Sequence, residues 1–328
     1  MYHNIIAGDV LDLLEAARMA PGRLTDALVD SLRQSATAMI AWADVMSHGD
    51  GKPSFFNDCA MEIAPPCAAL QRHAVELGVP LPAVRGEQLR RLAPSGYARA
   101  QAGPALLIAD VGDIGPDYLP GHAHADSLSF EISLHGRRLL VNSGTSVYAI
   151  GAQRSSERGT AAHNTIVVDG QDSSEVWSSF RVARRARVHD VVAEAEGDRL
   201  VIEGAHDGYR RLQGQVTHHR RWALTGSELF VEDTLSGRPR SAEAFWHFHP
   251  EVSLEAIDPA VWNILRGGSV IAQVRFEGGE TRMEDGVWAP EFGRLIPNQR
   301  LRVKLSGNRL LSSWRWTADG PRHQGPGL

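Results

Sequence analysis

Two stretches of this chain concentrate side chains that bind metals, move protons or hold anions. One is His122-Ala123-His124-Ala125-Asp126 and the other is Ala162-His163-Asn164. Between them lie Asn142-Ser143-Gly144-Thr145, Tyr148, Arg154 and Arg158. A His-x-His pair on an extended strand turns both imidazoles to one face. With a third donor from another strand, that geometry suits zinc or a similar divalent ion. The same spacing also fits one histidine bonded to a buried turn with its neighbour at the surface, so both readings stand at this point. His247-Phe248-His249 repeats the spacing after a strand, where sandwich packing or a cleft rim is expected.

Other chemistries fit less well. Gly115, His122, His124, Glu131 and Gly136 only approximate the spacing of a metal-binding cupin, and Glu131 falls too far from His124. Val141-Asn142-Ser143-Gly144-Thr145 has the form of an aspartic-protease loop, but Asn142 supplies no carboxylate. The chain has no Gly-x-Ser-x-Gly elbow, no phosphate-binding glycine loop and no HExxH helix.

Composition bounds the rest. Of 328 residues, 43% are hydrophobic and 22% charged, which is the balance of a globular chain and, by length, of about two domains. No apolar run approaches the ~18 residues of a membrane span, and the acidic start lacks the basic region of a signal peptide. Cys59 and Cys67 are too few for a disulfide scaffold or a zinc site made of cysteines alone. A net charge of −5 argues against nucleic acid as the main partner. Of 34 basic residues only Lys52 and Lys304 are lysine, which reflects either a GC-rich genome or a use for bidentate carboxylate and sulfate recognition.

These groups need elements to hold them. Residues 1–92 read as helical: Asp9 is placed to cap one helix, Thr25 to cap a longer one ending near 47–51, and a third follows Pro65-Pro66 and stops at Gly78. From about Ser95 the period becomes two. Strands are expected at 97–101, 104–111, 127–134, 137–142, 164–168, 180–192, 199–206, 215–225, 228–234, 242–249, 269–276, 300–305 and 309–317, with a hairpin turn at 133–137. Many short antiparallel strands predict a large β-sandwich over 93–318, and residues 319–328 are expected to be a disordered tail. The run 180–187 carries Arg181, Arg184, Arg185 and Arg187 without an acid, either as a polyanion-binding strip or as a solvated strand face.

The ordered residues 121–130, 140–145 and 158–170 resemble the C-terminal domain of the heparinase II/III-like polysaccharide lyases. Met1-Tyr2-His3-Asn4 and Phe55-Phe56-Asn57-Asp58 resemble the end of that family's helical domain. The resemblance implies an α+β architecture, a partial (α/α) toroid followed by a multilayered antiparallel β-sandwich. It implies cleavage of uronic-acid-containing polysaccharide by β-elimination. It places Tyr2, His122 and Tyr148 as catalytic residues and Arg158 toward the acidic substrate; His3, Arg154 and Arg181 are further candidates for substrate contact. It places His124, Asn142 and His163 around a structural zinc, weakened because Asn142 stands where the family usually has Asp. An earlier helix that helps neutralise the uronate in the family has no counterpart here, so the chain is expected to be a truncated form, exposing helix faces to a homodimer partner or to a missing N-terminal helical segment. A periplasmic or cell-envelope location follows from the resemblance. The alternative is a non-catalytic β-sandwich that binds acidic glycan in envelope or capsule polysaccharide metabolism.

Overall fold

The computed structural model describes residues 1–81 and 87–317. The expected tail at 319–328 lies outside the described residues. Three helices come first: α1 (Tyr2–Met19), α2 (Asp26–Val45) and α3 (Cys67–Glu76). Ala7, Leu11 and Leu14 of α1 meet Ala36 and Ile40 of α2 and Leu70 and Ala74 of α3 in one small core. Thr25 caps α2 by accepting the Leu28 N–H, and Gly78 follows α3 at φ +68, where a left-handed residue ends a helix at least cost.

Helix α1 begins earlier than expected. Asp9 is an exposed residue in its interior rather than its cap, and the buried stripe runs through Asn4, Ala7, Leu11 and Leu14. Leu13 is 52% exposed. Among the described residues no helix is long and apolar enough to cross a membrane.

The remainder is mostly antiparallel sheet, with one short helix, Ala152–Arg158, that carries Arg154 and Arg158. Leu89–Leu92, Tyr97–Ala102, Ala105–Asp110, Phe130–Leu134 and Arg137–Leu140 form a five-stranded sheet in chain order. The strand Leu89–Leu92 therefore joins the sandwich, although the sequence groups it with the helices. Across an eight-stranded sheet the order is Ser253–Asp258, Val261–Arg266, Ser269–Glu277, Arg309–Arg315, Glu228–Ser236, Thr217–Leu224, Arg199–His206 and Val188–Glu196. Gly279–Glu291, Arg294–Leu305, Ala242–His247 and Ile166–Val168 make a four-stranded sheet. Apolar faces of these layers share one core that includes Phe130, Trp222, Trp246 and Trp314. At 135–136 the hairpin turn forms as expected, with His135 and Gly136 both at positive φ, the pairing that matches strand twist.

The helices are locked to the sandwich by the segment 47–61. Glu131, fully buried on its strand, accepts from His48 Nε2 at 2.9 Å, the Phe55 N–H at 3.0 Å and the Asn142 N–H at 2.7 Å. Apolar packing completes the seam: Phe55, Cys59 and Met61 against Val141 and Trp288, and Met46 and Phe56 against Leu106 and Ile108.

Candidate active site

Asn57 adopts φ +55, a left-handed conformation that asparagine tolerates better than most residues. Its side chain accepts the His124 N–H and donates to the Tyr97 hydroxyl, and its own N–H donates to Asp126. This turn points the next residue, Asp58, into the sandwich. Burial pushes the Asp126 carboxyl up to about 6, against the pull of nearby His124.

Asp58 is a fully buried hub. Oδ2 takes His122 Nδ1 at 2.9 Å and Arg154 Nη2 at 2.7 Å; Oδ1 takes His124 Nε2 at 2.9 Å, Thr145 Oγ1 at 3.3 Å and Arg154 Nη1. Burial alone would raise this carboxyl, but the hydrogen bonds from His124 and Arg154 outweigh it and hold the group far below the usual carboxylate range. His122 and His124 lie in a loop rather than on a strand, and their shared carboxylate draws both rings to one side. Thr145 is delivered by Gly144, which stands at φ +79 where an added Cβ would lie 2.1 Å from the Ala289 carbonyl oxygen, so only glycine fits.

Three expected catalytic residues meet at the rim of this hub. The Tyr2 and Tyr148 hydroxyls are 2.9 Å apart, 146 positions distant in the chain. The His122 ring lies 4.6 Å from Tyr2 and 5.8 Å from Tyr148, centroid to centroid. Phe180 and Phe292 flank Tyr148, and the Arg154 guanidinium lies 5.0 Å from its ring. Burial, the hydrogen bond with Tyr2 and the nearby Asp58 charge all push the Tyr148 phenol well above its ordinary range, so it stays protonated. An exposed imidazole oriented by a buried carboxylate, beside two bonded phenols, is equipped for proton transfer.

Other expected contacts turn inward. Arg154 and Arg158 are 0% and 1% exposed and cannot meet substrate directly. Arg154 serves Asp58 and the Ser179 carbonyl. Arg158 donates to the carbonyls of Ala123, Trp177 and Arg181, tying the His122–His124 loop to the turn before Val182. His3 bonds the Met39 carbonyl at 2.8 Å and packs on Trp42, joining α1 to α2. All three correct the substrate-facing expectation, because the Asp58 carboxylate and main-chain carbonyls offer these side chains partners inside the fold. Arg181 alone of that group is exposed. The strand expected at 180–192 is broken into Arg181–Val182 and Val188–Glu196, and the arginine run does not form a strip: Arg184 pairs with Glu175, and Arg185 and Arg187 with Asp117. His247 is buried on the Ala161 carbonyl and His249 packs on Trp288, which is sandwich packing.

The donor set for a metal is mixed. The His124 and His163 rings are 5.3 Å apart and buried; His124 Nδ1 and both nitrogens of His163 have no hydrogen-bond partner among the described residues. Burial keeps His163 well below its ordinary range and therefore neutral, the form that ligates. Two imidazoles thus fit a metal. Asn142 fits less well: its Nδ2 donates to the Phe55 carbonyl and its Oδ1 accepts the Asn164 N–H, leaving one lone pair and no charge. Among the described residues no three His, Cys, Asp or Glu side chains form a metal-holding group.

Asp58 and Phe180 take central places that the sequence reading did not assign. The signal for Asp58 was present in Phe55-Phe56-Asn57-Asp58; its role required knowing that this segment crosses to the His122 loop. Phe180 sits beside an arginine run that drew attention to charge alone.

The family model for the heparinase II/III-like C-terminal domain matches residues 84–317. Heparinase III has a similar structure, with a TM-score of 0.72 at 16% identity over 99% of this chain and 54% of its own. The heparan sulfate lyase HepC of Pedobacter heparinus gives a TM-score of 0.71 at 14% identity, over 96% of this chain and 51% of its own. The chain therefore spans about half the length of these structures. No match is found among curated proteins by sequence.

Proposed function

The chain belongs to the heparinase II/III-like family, and from that premise we propose that it cleaves uronic-acid-containing polysaccharide by β-elimination. The observation that carries this reading is the 2.9 Å contact between the Tyr2 and Tyr148 hydroxyls with His122 packed against both rings. Elimination needs a base for the C5 proton and an acid for the departing O4. His122 donates Nδ1–H to Asp58, which leaves Nε2 as the lone-pair nitrogen, and Nε2 is assigned the C5 proton. The C–H electron pair becomes the C4–C5 double bond as the C4–O4 bond breaks. Tyr148, held protonated, gives its proton to O4, and Tyr2, 38% exposed, links Tyr148 to solvent for its return.

A zinc ion on His124 and His163, with Asn142 as a weak third donor, accompanies the proposal; when bound it supplies a structural cross-link and no step of the elimination. His124 already engages Asp58 through Nε2, so its ligating atom is Nδ1. A periplasmic or cell-envelope location goes with such a substrate.

The test is incubation with heparan sulfate and with alginate while following the ultraviolet absorbance of unsaturated uronate. Product formation that Tyr148→Phe abolishes supports the reading. Binding of these polymers without turnover, unchanged by Tyr148→Phe, favours a glycan-binding sandwich instead.

A further inference from the structure

We propose that the open cleft beside Phe180 is a second sugar subsite, which takes the acidic residue next to the one undergoing elimination. This rests on the lyase reading above. The cleft has a volume of about 700 Å³, within the range of small-molecule sites, and Tyr118, Leu119, Ile150, Phe180 and Arg181 line it. Phe180 belongs to both sites: its ring contacts His122 at 5.7 Å and Tyr148 at 5.2 Å, so a chain leaving the catalytic cluster past Phe180 enters this cleft.

The wall opposite is unusual for a surface loop. Tyr118 is 88% exposed and Leu119 68%, and Ile150, which also lines the cleft, 78%. Clustered exposed apolar side chains mark a binding surface more often than scattered ones. The loop is anchored rather than loose. Asp117 takes Arg185 Nη1 at 3.0 Å and Arg187 Nη2 at 2.9 Å, and Asp113 takes Arg187 Nη1 at 2.8 Å and the Val188 N–H at 2.7 Å. The arginine run thus clamps the loop that presents Tyr118. Arg181 is the one arginine of the run without an ion pair among the described residues, and it lies on the cleft wall. A tyrosine ring for the apolar face of a sugar and a free guanidinium for its carboxylate or sulfate describe one acidic hexose.

The experiment titrates the full chain carrying Tyr148→Phe, so that the ligand is not consumed, by calorimetry with tetrasaccharides and disaccharides of heparan sulfate and of alginate. This protein binds its preferred tetrasaccharide at least tenfold more tightly than the matching disaccharide, and adding Arg181→Ala or Tyr118→Ala brings that ratio close to one. A ratio unchanged in both variants overturns the subsite, while turnover sensitive to Tyr148→Phe leaves the lyase reading intact. A parent dimer that Tyr118→Ala dissociates, with the ratio unchanged, gives the patch to a second copy and also overturns it. No binding of any of these oligosaccharides overturns both.

Discussion

Arg154 and Asp58 lie 96 positions apart in the chain and close a two-pronged ion pair in which neither side chain reaches solvent. The pair fixes the carboxylate that orients His122, and its partners come from a loop, a short helix and the segment after α2.

Asp58→Asn leaves the Arg154 charge buried and uncompensated. Removing one partner of such a pair costs about 3–5 kcal/mol. Urea unfolding at pH 7 should register a loss of that size, and Asp58→Asn combined with Arg154→Met should recover part of it. A loss below about 1 kcal/mol would contradict the hub.

Tyr148→Phe removes one hydroxyl and keeps the ring that Arg154 and Phe180 pack against. Loss of a proton donor lowers turnover by about 10²–10⁴. The elimination rate on the cleaved polymer should fall by that factor with KM changed little. A matching rise in KM would instead make Tyr148 a binding residue.

Asn142→Asp tests the metal. The Asn142 Nδ2 donates to the Phe55 carbonyl, so an aspartate there faces an oxygen with an oxygen unless a cation sits nearby. The variant should melt below the parent in chelator, regain stability on adding zinc and retain zinc through dialysis better than the parent. His163→Ala in the same background should abolish the zinc response. A zinc-independent melting temperature in Asn142→Asp would count against the site.

Asp233 sets an acid limit elsewhere in the sandwich. Burial opposes its ionisation, but Arg220 and His218 outweigh that and lower the carboxyl to about 2. The unfolded value is ~3.9, so the pair contributes about 2–3 kcal/mol above pH ~4, lost as pH falls toward ~2. Asp233→Asn should be less stable at pH 7, with a flatter stability curve between pH 4 and pH 2. Parallel curves for the two proteins would refute this.

Local chemistry reads well from the chain. Thr25, Gly78 and the His135-Gly136 turn act where their backbone preferences place them. The strand Arg199–His206 also falls where alternation predicts it. Among the described residues five strands escaped: Leu89–Leu92, Val176–Trp177, Ser253–Asp258, Val261–Arg266 and Gly279–Glu291. Ser253–Asp258 buries only Leu254 on its strand, and Gly279–Glu291 is charged and half exposed until Trp288, so neither shows a clean apolar period. Their stability comes from neighbouring strands, which no local window contains.

By itself the sequence determined the family, the sandwich and the neighbourhood of His122, His124, Tyr148 and His163, because those residues lie close together between strongly patterned strands. Tertiary structure alone decided which charges remain available. Arg154 and Arg158 look like substrate ligands in sequence, yet they are drawn inside by Asp58 and by main-chain carbonyls from distant segments. Arg181, in the same polar region, stays at the surface. An arginine's role depends on which acceptors reach it first, and those acceptors converge only after the chain has folded.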